Sequence, residues 1–86
     1  MKRLVADVTG IVQGVGFRSF VERSAAQLGV TAVADNMDDG SVHVLASGDE
    51  ERLLRLVALL RQGSCYSSVD RVEYTLSDME KTRQGG

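Results

Sequence analysis

The sequence predicts an α+β sandwich: one antiparallel sheet with two helices on one face, in the order βαββαβ. Three observations predict it. Several short stretches alternate apolar and polar residues with the period of a half-buried strand. Two longer stretches repeat with the helical period. Glycines and turn residues separate these stretches at the places where chain reversals are needed.

The first strand is read over Leu4 to Val12, where Val5, Asp7 and Thr9 oppose Leu4, Ala6 and Val8. Gln13 to Gly16 breaks that pattern. From Phe17 to Leu28 the period becomes helical, with Phe17, Phe20, Val21, Ser24, Ala25 and Leu28 on one face and Ser19, Glu22 and Arg23 on the other. Gly29 stands where a helix stop belongs. Val30 to Ala34 and Ser41 to Ser47 read as two further strands. Asn36-Met37-Asp38-Asp39-Gly40 between them is turn chemistry, so they form a hairpin. Ser47-Gly48-Asp49-Glu50 has the spacing of a capping box and is expected to open a second helix, Glu50 to Gln62. Leu53, Leu56, Val57 and Leu60 form its stripe, Leu54 and Leu59 sit at the stripe's edges, and Gly63 follows. Val69 to Leu76 reads as the last strand, and the polar tail Lys81 to Gly86 is expected to fray. This order is the split βαβ, ferredoxin-like arrangement, which hosts many unrelated functions and decides none of them.

The chain's 86 residues suit a single domain over positions 1–86, with a modest core. A formal charge of −2 argues against a nucleic-acid binder, which normally carries a basic excess. The one cysteine, Cys65, rules out an internal disulfide and is read as a loop thiol, and with a single histidine no zinc-ligand spacing exists. The N-terminus lacks the apolar run of a secretory signal, and no stretch approaches the roughly 20 apolar residues of a membrane span. The expectation is a cytoplasmic monomer with no metal, cofactor, nucleic-acid or membrane partner.

The most informative stretch is Gly10-Ile11-Val12-Gln13-Gly14-Val15-Gly16-Phe17-Arg18. A glycine-rich passage from strand to helix can turn backbone N–H groups inward, because glycine tolerates positive φ. The helix start adds unpaired N–H groups and the positive end of its dipole, and Arg18 adds a planar fork that fits phosphate oxygens. Together these make an anion cradle. From the glycines alone, a tight turn followed by a solvated arginine accounts for the segment at least as well. The segment is neither a Walker loop nor a dinucleotide fingerprint, since Ser19 stands where a third glycine would be needed.

The same stretch resembles the V-Q-G-V-x-F-R signature of the acylphosphatase family. Ala26-Gln27-Leu28-Gly29-Val30 resembles that family's helix end, and Asn36-Met37-Asp38-Asp39-Gly40-Ser41-Val42 resembles its N-x-x-D-G-[ST]-V hairpin. The leucine helix ending at Gly63 and the pair Val69 and Val72 follow in register. The likeness spans about residues 4 to 76 and implies the same ferredoxin-like fold. It also implies hydrolysis of small acyl phosphates to carboxylate and inorganic phosphate. By the resemblance, Arg18 and the backbone N–H groups of Gly14, Val15, Gly16, Phe17 and Arg18 hold the phosphate. Asn36 orients the attacking water, and no metal is needed.

Five features depart from the family pattern. Val33-Ala34-Asp35 precedes the asparagine, and Asp35, on a strand, is expected to point away from Asn36. Met37 replaces a small hydroxyl residue, Gly63-Ser64 replaces Gly-Pro, and Val21 replaces Thr. Nothing in Asp78 to Gly86 resembles the family's further C-terminal strand.

FRSFV also resembles the N-terminal domain of hydrogenase maturation carbamoyltransferases, where the cradle would hold carbamoyl phosphate without turnover. Those longer chains carry zinc-binding cysteine pairs that this sequence lacks, so the independent enzyme is the expectation. An RNA-binding domain of the same fold would need aromatics on the strands Leu4 to Val12 and Ser41 to Ser47, which have none. His43, alternating with Val42 and Val44, is expected on the sheet face away from the helices, and Glu22 and Arg23 on the solvent side of the first helix.

Overall fold

The computed structural model describes residues 1–78, so the tail Lys81 to Gly86 lies outside the described residues. In chain order the elements are β1 (Lys2–Ile11), α1 (Phe17–Leu28), β2 (Thr31–Asn36), β3 (Val42–Gly48), α2 (Glu50–Gln62) and β4 (Ser68–Asp78). The strands form one antiparallel sheet in the order β2-β3-β1-β4. The α+β, βαββαβ expectation holds.

Both helices lie on one face. Leu4, Ala6 and Val8 of β1 and Val42, Val44 and Ala46 of β3 are buried in one cluster with Phe17, Val21 and Ala25 of α1 and Leu53, Leu56, Val57 and Leu60 of α2. This is the period-of-two and period-of-3.6 patterning made physical: each strand and each helix gives one apolar face to a shared core. Val5, Asp7, Thr9, His43 and Leu45 alternate with the buried residues and lie on the uncovered face, where His43 Nδ1 and Asp7 Oδ1 are 2.7 Å apart.

The helix limits match the sequence reading, and the strand limits do not. Val30 is drawn into the end of α1. Its N–H bonds to the Ala25 carbonyl at 3.0 Å, and the N–H of Gly29 bonds to Ala26 at 3.2 Å. That Schellman closure delays β2 to Thr31. β2 then runs on to Asn36, because Asn36 pairs with Val42.

The expected capping box is absent. Asp49 is the cap residue of α2, and no side chain caps that end. Ser47 is held in β3 opposite Arg3 and Thr31. Gly48 is packed so closely on Val30 that an added Cβ would come within 2.6 Å of Val30 Cγ1. The pairing of β3 therefore overrides the local capping signal.

Between β1 and β4 the register shifts at Thr9/Gly10, leaving Asp70 as the extra residue opposite the break. Gly10 has φ 125°, and a Cβ there would collide with the Ser68 carbonyl and approach the Asp70 amide nitrogen to 2.7 Å. This is a β-bulge that only glycine fits.

Candidate functional site

α1 begins at the end of the glycine loop. Gly14 and Gly16 have φ of 75° and 77°, both left-handed, and nothing lies within 4 Å of where their Cβ atoms would be. The glycines are thus required by backbone conformation, and the space beside them is open. Gly16 is the cap residue of α1, no side chain caps it, and no acidic residue stands in the first turn. The first helical bond runs from the Phe20 N–H to the Gly16 carbonyl at 3.0 Å. The amides of Phe17, Arg18 and Ser19 precede that bond and so have no intrahelical acceptor. Phe17 is 1% exposed and anchors the loop to the core, 5.7 Å from the Phe20 ring centroid. The exposed Arg18 follows directly.

A cleft of about 380 Å³ opens here, lined by Val12, Gly14, Gly16, Phe17, Arg18, Ser19, Glu22 and Asn36. It brings together four of the five cradle residues expected from the sequence, with Asn36 from the far end of β2. Val15, the fifth, is not in that lining, and its side chain packs half-buried against the core. Asn36 shares its face of β2 with the buried Ala34, and Asp35 lies on the opposite, uncovered face, outside the cleft lining. Among the described residues, no carboxylate forms an ion pair with Arg18. An uncapped helix start, left-handed glycines and an arginine around one opening make an arrangement suited to an anion with several oxygens.

Sequence reasoning missed Gln13. Its amide nitrogen donates to the Met37 carbonyl at 2.7 Å and to the Ser41 carbonyl at 2.9 Å. Two carbonyl acceptors fix which end of the amide points inward. Gln13 thereby straps the glycine loop to the β2–β3 hairpin and holds Asn36 beside the cradle. The hairpin itself is closed by the Met37 N–H on the Ser41 carbonyl at 2.8 Å and by Asp39 Oδ1, which accepts from the Ser41 N–H at 2.9 Å and its hydroxyl at 2.6 Å. The Ser41 hydroxyl and then its N–H hold the Asp39 carboxyl below its usual range. The only sequence signal for Gln13 is that it is the one polar side chain in the run Ile11 to Phe17.

Gln13→Leu is expected to remove both strap hydrogen bonds, at about 0.5–1.5 kcal/mol each, while each carbonyl keeps its backbone donor, Met37 N–H for Ser41 and Gly40 N–H for Met37. Under the roles that the resemblance implies for Asn36 and Arg18, it should lower turnover more than it raises KM, because it displaces Asn36 while leaving Arg18 in place. Steady-state kinetics with a melting curve checks this, and a variant with unchanged kcat and a lowered melting temperature would reduce Gln13 to a purely structural brace.

A family model described as acylphosphatase matches residues 4–85. The chain belongs to the acylphosphatase family. It is 45% identical over 82 residues to an acylphosphatase of Deinococcus radiodurans, covering 95% of this chain and 94% of that one. The crystal structure of acylphosphatase from Bacillus subtilis superposes with a TM-score of 0.89 at 37% identity, covering 94% of this chain and 90% of that one. These likenesses along nearly the whole of both chains make it an enzyme of the acylphosphatase class. A full-length HypF in phosphate- and nucleotide-bound form also matches, with a TM-score of 0.78 at 22% identity over 95% of this chain and 11% of that one, a likeness of fold alone. No helix among the described residues is long and apolar enough to cross a membrane.

Proposed function

We propose that this chain hydrolyses the carboxyl–phosphate bond of small acyl phosphates, releasing carboxylate and inorganic phosphate without a metal. The observation that carries the reading is the meeting of the glycine loop, Arg18 and Asn36 in one cleft. The phosphate sits on the N–H groups of the Gly14–Arg18 segment, with the Arg18 guanidinium binding two of its oxygens. The Asn36 side-chain amide holds a water in line with the bond to the leaving carboxylate. Water oxygen attacks phosphorus, the bond to the acyl oxygen breaks with its electron pair on the carboxylate, and a phosphate oxygen takes the water's proton.

Little else is required. Phosphoryl transfer is mainly positioning and charge stabilisation, and a carboxylate is already a good leaving group. Charge neutralisation by Arg18 and the loop amides takes the place that a metal holds in other phosphoryl-transfer sites. We take the chain to act as a cytoplasmic monomeric domain over residues 1–86, with a small-molecule substrate and no nucleic-acid, membrane or cofactor partner. Its charge of −2 supports the absence of a nucleic-acid partner.

The test is hydrolysis of benzoyl phosphate in chelator by the parent and by Asn36→Ala. The expected result is turnover that persists in chelator and falls at least about 100-fold in the variant, the scale of losing a main transition-state contact. A parent that binds inorganic phosphate without turnover would instead leave a phosphate- or carbamoyl-phosphate-binding module.

A further inference from the structure

We infer that Glu22 acts as a charge filter on the acyl side of the cleft, disfavouring acyl groups that carry a negative charge; this rests on the acyl phosphate reading above. Read as a helix position, Glu22 belongs to the solvent side of α1, and it is indeed exposed. The structure adds that it also lines the cleft. Of the eight described residues that line it, two are charged, Arg18 and Glu22. Among the described residues, no cation forms an ion pair with Glu22.

The geometry separates the tasks of these two charges. The open amides lie at the start of α1, so the phosphate occupies that end. Glu22 follows Arg18 by four residues, one turn and about 6 Å further along the helix. Helical side chains lean back toward the N-terminus, which brings its carboxylate over the turn that carries Arg18. An acyl group leaving the cradle along α1 therefore passes Glu22, while the other described lining residues apart from Arg18 are uncharged.

A carboxylate carried by the acyl group is repelled by Glu22, and the size of the effect is taken at a separation of about 6–8 Å. In a partly solvated cleft that repulsion corresponds to about a 3- to 30-fold loss in kcat/KM, weakening with salt. Repulsion of the substrate's phosphate itself is common to every substrate and cancels in a ratio of two.

The experiment compares kcat/KM for benzoyl phosphate and 4-carboxybenzoyl phosphate in the parent, Glu22→Gln and Glu22→Lys at low ionic strength. Both replacements are good helix formers at an exposed position, so folding is retained. The expected result is that the preference for the uncharged ring narrows about 3- to 30-fold in Glu22→Gln, narrows further in Glu22→Lys, and narrows in the parent as salt is raised. The same preference in all three proteins would overturn the filter while leaving acyl phosphate hydrolysis intact. Turnover of neither substrate by the parent would overturn both readings together.

Discussion

Arg18→Ala is expected to lower kcat/KM for an acyl phosphate by at least 10²- to 10³-fold, about 3–4 kcal/mol of transition-state stabilisation. The side chain is exposed, so its loss should leave the fold and melting temperature nearly unchanged. The backbone amides of the loop would remain and still bind phosphate weakly. Arg18→Lys should recover little, because an ammonium is a point charge and cannot hold two oxygens in one plane. Steady-state hydrolysis, circular dichroism and phosphate-dependent thermal shift together make the check. An alanine variant that kept more than a tenth of the parent's kcat/KM would remove Arg18 from the chemistry.

The second large effect falls on stability. Gly10→Ala is expected to cost about 3–5 kcal/mol, from a strained backbone together with overpacking. At φ 125° the new Cβ has to enter the Ser68 carbonyl. Among the described residues β4 lies at the sheet edge with β1 as its one sheet partner, so a shift of register there meets no second described neighbour. For a chain of this size such a cost is a large part of the total stability. Denaturant unfolding measures it. A loss below about 1 kcal/mol would mean that the bulge relaxes freely.

Much of this molecule was legible in its sequence, and the exceptions share a cause. The limits of α1 and α2 were readable because a helix is written locally, in the 3.6 period of Phe17, Val21 and Ala25 and in the glycines that stop it. Strand ends were not, because they depend on partners: Lys2 is a strand residue because Gly48 and Asp78 face it, and Asn36 because Val42 does. Ser47 looked like a helix cap until its pairing with Arg3 and Thr31 was known. In the site, Arg18 and Asn36 stand within motifs. Gln13 acts through carbonyls 24 and 28 residues away, which no local pattern records. Glu22 was legible as exposed, but the cleft beside it exists only once β2 has been laid against the start of α1.

The strand order has a bearing on how the molecule comes to be active. Arg18 follows β1, Asn36 closes β2, and β3 lies between those two strands. In the finished sheet the two halves of the site are thus set apart by β3, and the packing of α1 on β2 and the Gln13 strap bring them together. The β2–β3 hairpin is local and can form early, whereas the pairing of β1 with β3 joins segments about forty residues apart and is intrinsically slow. A refolding chain is thus expected to form its helices and hairpin before the β1–β3 pairing. The return of turnover during refolding is therefore expected to lag the return of helical signal, which stopped-flow circular dichroism beside an activity assay checks.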